Sequence, residues 1–530
     1  MCVLPLAAQG TAIVPIGDPV YADLDRLEEL GVIRSAIMGQ RPYSYREMAR
    51  LVREARANAV IGPAPGDDFA TVDPLVDALV VRLEQRLARV AARPISPLEE
   101  VAGIANTTNA VRRPPVPAGS SASPQATIDP LALRRLGDPA VRGGSLALEL
   151  LQRAEPASWI AVNLRERFEA ADPRDDARVP RAASVLEAGV RARWRNVALM
   201  MGREQIGWGS GGRGGLFLAA DAPALDQLSL ASDHPFVLPS LLRHIGPLSA
   251  TLMLAELGPS VVRTRSMLLA YKLSARPTAS LEVGATFENH FGGAGGRTSS
   301  FWYRVIDFLP MIDIFRRHNY VDTTHVFDVD SDKAIGTDVR WRIDRLGGVT
   351  VAAEILLDDF DVHRLNSILN YAASHALTST VPRLASPAWS LRLDATHMGP
   401  LTYTHFNLTQ GMTTRGRLLG NELGPDAKAF GAELRWMPSA ATSLALGGSA
   451  GIYSNAAYAG TYDLNGRWVV RKLLAAPDEL REQVIGSVVL APTPLMDLTL
   501  RAGVGRTRNI MFVGGRRHSY VADVALRWRP

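Results

Sequence analysis

The chain has 530 residues, 47% hydrophobic and 21% charged, with 58 Lys and Arg against 53 Asp and Glu and a net charge of +5. That length and apolar content exclude a disordered chain or a small disulfide scaffold, and a mean hydropathy of +0.02 first suggests a soluble protein of several domains. The single cysteine, Cys2, excludes an internal disulfide or a cysteine zinc cluster, the scattered basic residues give no nucleic-acid stripe, and no apolar run approaches the ~18 to 20 residues of a membrane helix.

In chain order, Val3 to Ala8 resemble the tail of a signal-peptide core ending in small residues. No basic leader precedes them, so an ordinary N-terminal tail is equally open; residues 1–10 are assigned as a remnant of a signal peptide. Residues 11–94 are expected to form a helical bundle. Asp18 and Pro19 start a helix whose face carries Val20, Leu24, Leu27 and Leu30, with a stop at Gly31. Ser44 and Glu47 make an S-x-x-E capping box before Met48, Leu51, Val52 and Ala55. Asp73 and Pro74 open a third helix along Leu75, Leu79, Leu83, Leu87 and Val90, which Pro94 ends.

From residue 95 to 530 the period is 2. Phe430, Ala432, Leu434 and Trp436 alternate with Ala429, Gly431, Glu433 and Arg435; comparable runs lie at Leu281 to Phe287, Ile335 to Ile343, Trp389 to Leu393 and Tyr520 to Trp528. Alternation alone fits two architectures. A soluble sandwich turns its apolar set inward, whereas a transmembrane barrel turns it to lipid and fills its lumen with the charges. Roughly 435 residues of hairpin pattern would give about 18 strands, and Trp341, Trp436 and Trp528 sit near strand ends, where interfacial girdles form. The run RRPPVPAGSSASPQ, residues 112–125, is expected to be a mobile loop.

The chemical motifs fail one by one. The glycine-rich segment Gly202 to Gly215 lacks the Lys-Ser/Thr pair of a phosphate loop. Ser449 matches G-x-S-x-G, but period 2 continues on both sides, so no strand-to-helix elbow exposes it. Asp328, Asp330 and Asp332 open like a calcium loop, yet Lys333 and Val339 occupy the positions of its glycine and bidentate glutamate. Thr402 to Phe406 reads as strand around His405, and the ten histidines include no H-E-x-x-H pair. No catalytic residue, metal or cofactor is expected.

Taken together, the segments PIGDPVYADLDRLEELGVI and GQRPYSYREMARLV, the block from VLEAGVRARWRN through GREQIGWGSG to HPFVLPSLLRHIGPL, ENHFGG, EILLDDF and GRLLGNELGPDAKAFGAEL resemble the Wzi-like capsule assembly family of Gram-negative outer-membrane proteins. The resemblance spans nearly the whole chain. It implies a mainly β protein, a large antiparallel transmembrane β-barrel of about 18 strands with a small N-terminal α-helical bundle on the periplasmic side. It further implies a lectin-like, non-catalytic role in binding or organising surface polysaccharide. Expected partners are capsular or extracellular polysaccharide and outer-membrane lipid, without nucleic acid, and a monomer suffices.

Polysaccharide is held at many weak points, by aromatic faces on ring CH groups and by charged or amide groups on hydroxyls and acidic substituents. The candidates are Arg203, Glu204 and Trp208 in the glycine-rich turn; Trp302, Tyr303 and Arg304 after ENHFGG; Asp358 and Asp359 at a strand end; and Arg417 and Asn421. Structural charge pairing inside the lumen is the competing role for several of them. The rival function is a porin-like channel, which an unfilled lumen would favour.

Overall fold

The computed structural model describes residues 10–530 except 62–70, 112–133, 136–137, 140–141, 174–181, 210–214, 259–263, 296–330, 359–372, 405–407, 409, 455, 463, 465–467 and 476. The suggested signal remnant, apart from Gly10, and the Pro/Ser-rich loop therefore lie outside the described residues.

Three helices come first: α1 (Val20–Glu29), α2 (Tyr45–Asn58) and α3 (Pro74–Ala92). Their starts are set locally, because the first N–H groups of a helix have no partner within it. Asp18 Oδ1 accepts from Val20 N at 2.8 Å, Ser44 Oγ from Glu47 N at 3.2 Å, and Asp73 Oδ1 from Leu75 N at 2.9 Å. The capping box closes on one side only, since the Glu47 carboxylate is taken by Arg50. Leu24, Leu27, Met48, Leu51, Leu79 and Leu83 are fully buried and form one core with each other.

The rest of the chain is a closed antiparallel barrel. Its strands are β1 (Ile95–Thr108), β2 (Gly143–Ala157), β3 (Ile160–Pro173), β4 (Ala183–Trp194), β5 (Val197–Glu204), β6 (Leu225–Ser232), β7 (Pro247–Glu256), β8 (Ser266–Thr278), β9 (Leu281–Gly292), β10 (Ser331–Ile343), β11 (Val349–Asp358), β12 (Ser374–Val381), β13 (Trp389–Met398), β14 (Ala427–Ser439), β15 (Thr442–Tyr453), β16 (Glu479–Thr493), β17 (Met496–Ile510) and β18 (Gly514–Trp528). Each pairs with its sequence neighbour, and β18 returns to β1, from Trp528 opposite Val101 to Val521 opposite Thr108. Closure removes every free edge. After Trp528 the chain turns inward: Arg529 bonds Asp497 and, at 2.8 Å, Glu100, beside the seam.

The two faces of the wall follow the period-2 pattern. Phe430 is 56% exposed while Glu433 on the same strand is 7% exposed, and Val524 and Leu526 face out while Asp523 faces in. The outward set is therefore the lipid face and the inward set the lumen. Several lumen charges are paired across strands, which offsets the cost of withdrawing them from water: Arg167 with Glu149 at 2.6 Å, Arg165 with Glu187 at 3.4 Å, and Lys272 with Asp338. Phe287 holds the lipid-face register yet is buried, its ring centroid 5.0 Å from that of Tyr271 across the strand pair. Ser449 lies within β15, and Thr402 and Tyr403 form turns instead of strand, with Tyr403 at φ 64°. Asp332 belongs to β10, whereas Asp328, Asp330 and His405 are outside the described residues.

The two rims differ. One has short turns, such as Thr278 to Leu281, Ser439 to Thr442 and Thr493 to Met496; the other carries the long connections between β5 and β6, β9 and β10, β13 and β14, and β15 and β16. The helices sit at the short-turn rim, where Arg26 donates to the carbonyls of Pro382 and Pro387 and Arg153 to those of Val90 and Arg93. Leu79→Ala should cost the bundle about 2 to 5 kcal/mol through lost burial and the cavity left behind. Limited proteolysis is expected to cut the 11–94 region faster in this variant while the barrel keeps its heat-modifiable gel mobility.

Candidate functional site

The lumen is filled from both ends by the chain itself. From the helical side, α1 is clamped by a fan of arginines on β8 and β10. Arg340 bonds the Glu28 carboxylate, Arg276 approaches it at 3.9 Å, and Arg342 donates to the Glu28 and Glu29 carbonyls at 3.2 and 2.7 Å. Burial alone would raise the Glu28 pKa, but the guanidinium groups of Arg340, Arg276 and Arg342 outweigh it and hold the carboxyl below its ordinary value.

Beyond α1 the chain climbs into the barrel. Glu282 on β9 accepts from the backbone N–H groups of Met38 and Gly39 at 2.9 and 2.8 Å. Gln40 spends its amide on the wall: its nitrogen donates to Ser249 O and Ser274 Oγ, and its oxygen accepts from Thr251 Oγ1. Gln40 and Arg41 then pair antiparallel with Trp208 and Gly207. Those two belong to the long connection after β5, so the element entering from the short-turn side and the one folding in from the long-loop side share a two-residue sheet inside the lumen.

The second element is built on a few long-range contacts. Gly209 N donates to Gly39 O at 3.1 Å, Trp208 N to Leu218 O at 2.8 Å, and Leu216 N to Glu354 Oε2 at 2.9 Å. Gly209 has φ +120°, and a Cβ there would lie 2.6 Å from Glu354 Oε1, so glycine is required. Phe217 rests on the wall at Gly336, where a Cβ would meet its ring at 2.2 Å. The connection between β13 and β14 folds over this layer. Tyr403 N donates to Asp358 Oδ2 at 2.5 Å, and the Tyr403 hydroxyl donates to Leu216 O and accepts from Asn421 N at 2.8 Å. Burial pushes that phenol well above its ordinary 10.0, so it remains a donor. Trp208, Leu216, Phe217, Leu218, Tyr403, Leu418 and Leu419 are buried together with wall residues Leu268 and Leu356 in a second core inside the barrel. Between the inner segment and β4 to β7 lies a cavity of about 70 Å³ lined in part by Gln40, Arg191, Glu204 and Trp208. It has room for a few waters.

The ten candidate residues fall into four groups. Glu204, Trp208 and Asp358 are buried within the lumen, Trp208 at 2% exposure. Arg417 and Asn421 are largely buried in the overlying connection, where Asn421 Oδ1 accepts from Leu423 N at 3.0 Å. Arg203 lies at the long-loop rim in a two-pronged pair with Asp226, at 2.7 and 2.8 Å, and Arg415 reaches the same carboxylate at 3.1 Å. Trp302, Tyr303, Arg304 and Asp359 are outside the described residues. The structure thus joins Trp208 and Asp358 through the segment from Leu216 to Leu218 and through Tyr403, and separates both from Arg203. Sequence reasoning missed Gln40, Glu282 and Tyr403; the one signal was a polar residue before a helix cap and another within an apolar strand. Among the described residues no group of three or more His, Cys, Asp or Glu is arranged to hold a metal.

An eighteen-strand barrel with a lipid-facing belt and a lumen occupied by its own chain defines a plugged transmembrane β-barrel of the outer-membrane type. The family model for capsule assembly protein Wzi matches residues 126–451, and the chain belongs to that family. Among solved structures it is similar to Wzi, an outer membrane protein involved in group 1 capsule assembly in Escherichia coli and described as a carbohydrate-binding β-barrel. The TM-score is 0.66 at 14% identity, covering 98% of this chain and 99% of that one. It is also similar to Pseudomonas aeruginosa OccK7 (TM-score 0.43, 8% identity, 81% and 97% covered) and OccD3 (0.42, 10%, 82% and 93%). No curated protein sequence matches the chain.

Because the Glu28 pKa is lowered on folding, the clamp contributes stability above the ordinary 4.5 and loses it as pH falls through the lower folded value. Protease sensitivity of the helical region should therefore rise as pH drops below 4.5. In Glu28→Gln the same sensitivity should already be present at neutral pH, with this acid transition reduced.

Proposed function

We propose that the chain is an outer-membrane protein that binds or organises surface polysaccharide in capsule or exopolysaccharide assembly or attachment, lectin-like and non-catalytic. The observation that carries this reading is the filled lumen: the inner segment and the folded-in connections occupy the space through which a porin would conduct. With transport disfavoured, the long-loop rim is the surface left for function. Family membership and the carbohydrate binding of the related Escherichia coli barrel support polysaccharide as its ligand.

The long-loop rim faces outward and the helical bundle lies in the periplasm. Short turns on the bundle side support this orientation, since outer-membrane barrels keep short turns in the periplasm and longer loops outside. A closed barrel needs no partner to cover an edge, so a monomer in outer-membrane lipid suffices. Arg203, Trp302, Tyr303, Arg304, Asp359, Arg417 and Asn421 are the proposed polymer contacts. Trp208 and Asp358 act beneath them by fixing the shape of the connections, and Glu204 lines the cavity beside the inner segment.

The test is binding of purified full-length protein to immobilised surface polysaccharides. Arg203→Ala and Trp302→Ala should each weaken binding roughly tenfold, about 1.4 kcal/mol, with unchanged heat-modifiable mobility. Trp208→Ala should instead destabilise the folded-in layer by about 3 to 5 kcal/mol, seen as faster proteolysis of the long connections. No binding of the unaltered protein to any surface polysaccharide would contradict the proposal.

A further inference from the structure

The connection between β6 and β7 leaves the short-turn rim and carries one 3-10 turn, Ser240–Ile245, in which no residue is buried. Leu241 is 84% exposed and Leu242 52% exposed, with Val237 exposed just before them. Their exposure rests on ordered backbone. Asn196 holds both sides of His234, accepting from its N–H and donating to its carbonyl at 3.0 Å; Phe236 and Val237 pair with Leu248 and Pro247 at the foot of β7; and Gly246 N closes the turn on Arg243 O at 3.1 Å. A run of large aliphatics projecting from a fixed turn is a contact surface, unlike an isolated surface leucine.

Two observations identify what it contacts. The turn is continuous with the lipid-facing wall, since β7 runs from it directly into the outward Leu252 and Leu254. It also lies on the rim where the exposed Trp159, Trp194, Trp341 and Trp528 gather, which marks the headgroup level of a bilayer. Within the turn the charged and titratable groups are Arg243 and His244, without an acidic residue.

We propose that the Ser240–Ile245 turn is a membrane-interface anchor, in which Leu241 and Leu242 enter the acyl region of the phospholipid leaflet at the short-turn side while Arg243 meets lipid phosphates. The proposal rests on the outer-membrane reading of the barrel. Apolar side chains gain from leaving water at the headgroup boundary, and a cation beside them gains from anionic lipid there. The anchor fixes the height of the rim that carries the helical bundle.

The test uses the full chain with Cys2→Ser, carrying an environment-sensitive NBD probe on Leu241→Cys, in liposomes of phosphatidylethanolamine and phosphatidylglycerol. Probes on Leu252→Cys and on Val513→Cys, the latter in the exposed β17–β18 turn at the opposite rim, serve as references. The Leu241 probe should emit to the blue of the Val513 probe and be quenched by lipids bearing a nitroxide near the headgroup. Water-like emission equal to that of Val513 would overturn the proposal. Blue-shifted emission without nitroxide quenching would also overturn it, because a protein neighbour would then shelter the site. If the Leu252 probe is unquenched by nitroxides at any depth, the membrane reading of the barrel itself fails, which is distinguishable from failure of the anchor alone.

Discussion

Closing eighteen tilted strands into a barrel encloses a lumen wider than wall side chains can span, and every inward-facing residue must then meet water or more protein. The rest of the structure answers that constraint. The wall supplies carboxylates and guanidinium groups, and the chain returns backbone N–H and C=O groups to satisfy them: Glu282 holds Met38 and Gly39, Glu354 holds Leu216, and Arg342 holds the last turn of α1. Paired in this way, the inward charges become the scaffold of a plug, where an open barrel would use them to line a channel.

The plug has two parts that meet at Gln40, Arg41, Gly207 and Trp208. One is covalently continuous with the helical bundle, and the other with the long-loop rim and, through Leu216 and Tyr403, with the connection carrying Asn421. The described parts of these connections are held to the interior by those bonds, which suits repeated weak contacts with a polymer, since little ordering is left to be lost there on binding. The filled lumen and the proposed binding surface are thus consequences of the same packing.

Much of the fold was legible in the sequence because its rules are local. Asp18, Ser44 and Asp73 announce helix starts through their own side chains, and the alternation around Phe430 and Asp523 reports two faces without any knowledge of the neighbours. The interior was not legible for the converse reason. Gln40 contacts residues more than two hundred positions away, and Tyr403 is turned out of an apparent strand by a left-handed backbone that its hydroxyl bonds help to fix. Trp208 shows the limit clearly: an aromatic in a glycine-rich loop has the composition of a sugar platform, and only the pairing with Gln40 and Arg41 reveals that it faces the core. The family resemblance supplied the architecture that alternation alone had left open between a sandwich and a barrel.

Whether the barrel is closed internally by its own chain can be read from single-channel recording of the full-length protein in a planar lipid bilayer. A barrel plugged by its own chain should insert, as established independently by heat-modifiable mobility, without stable conductance steps. Reproducible porin-like steps from the unaltered protein would contradict it.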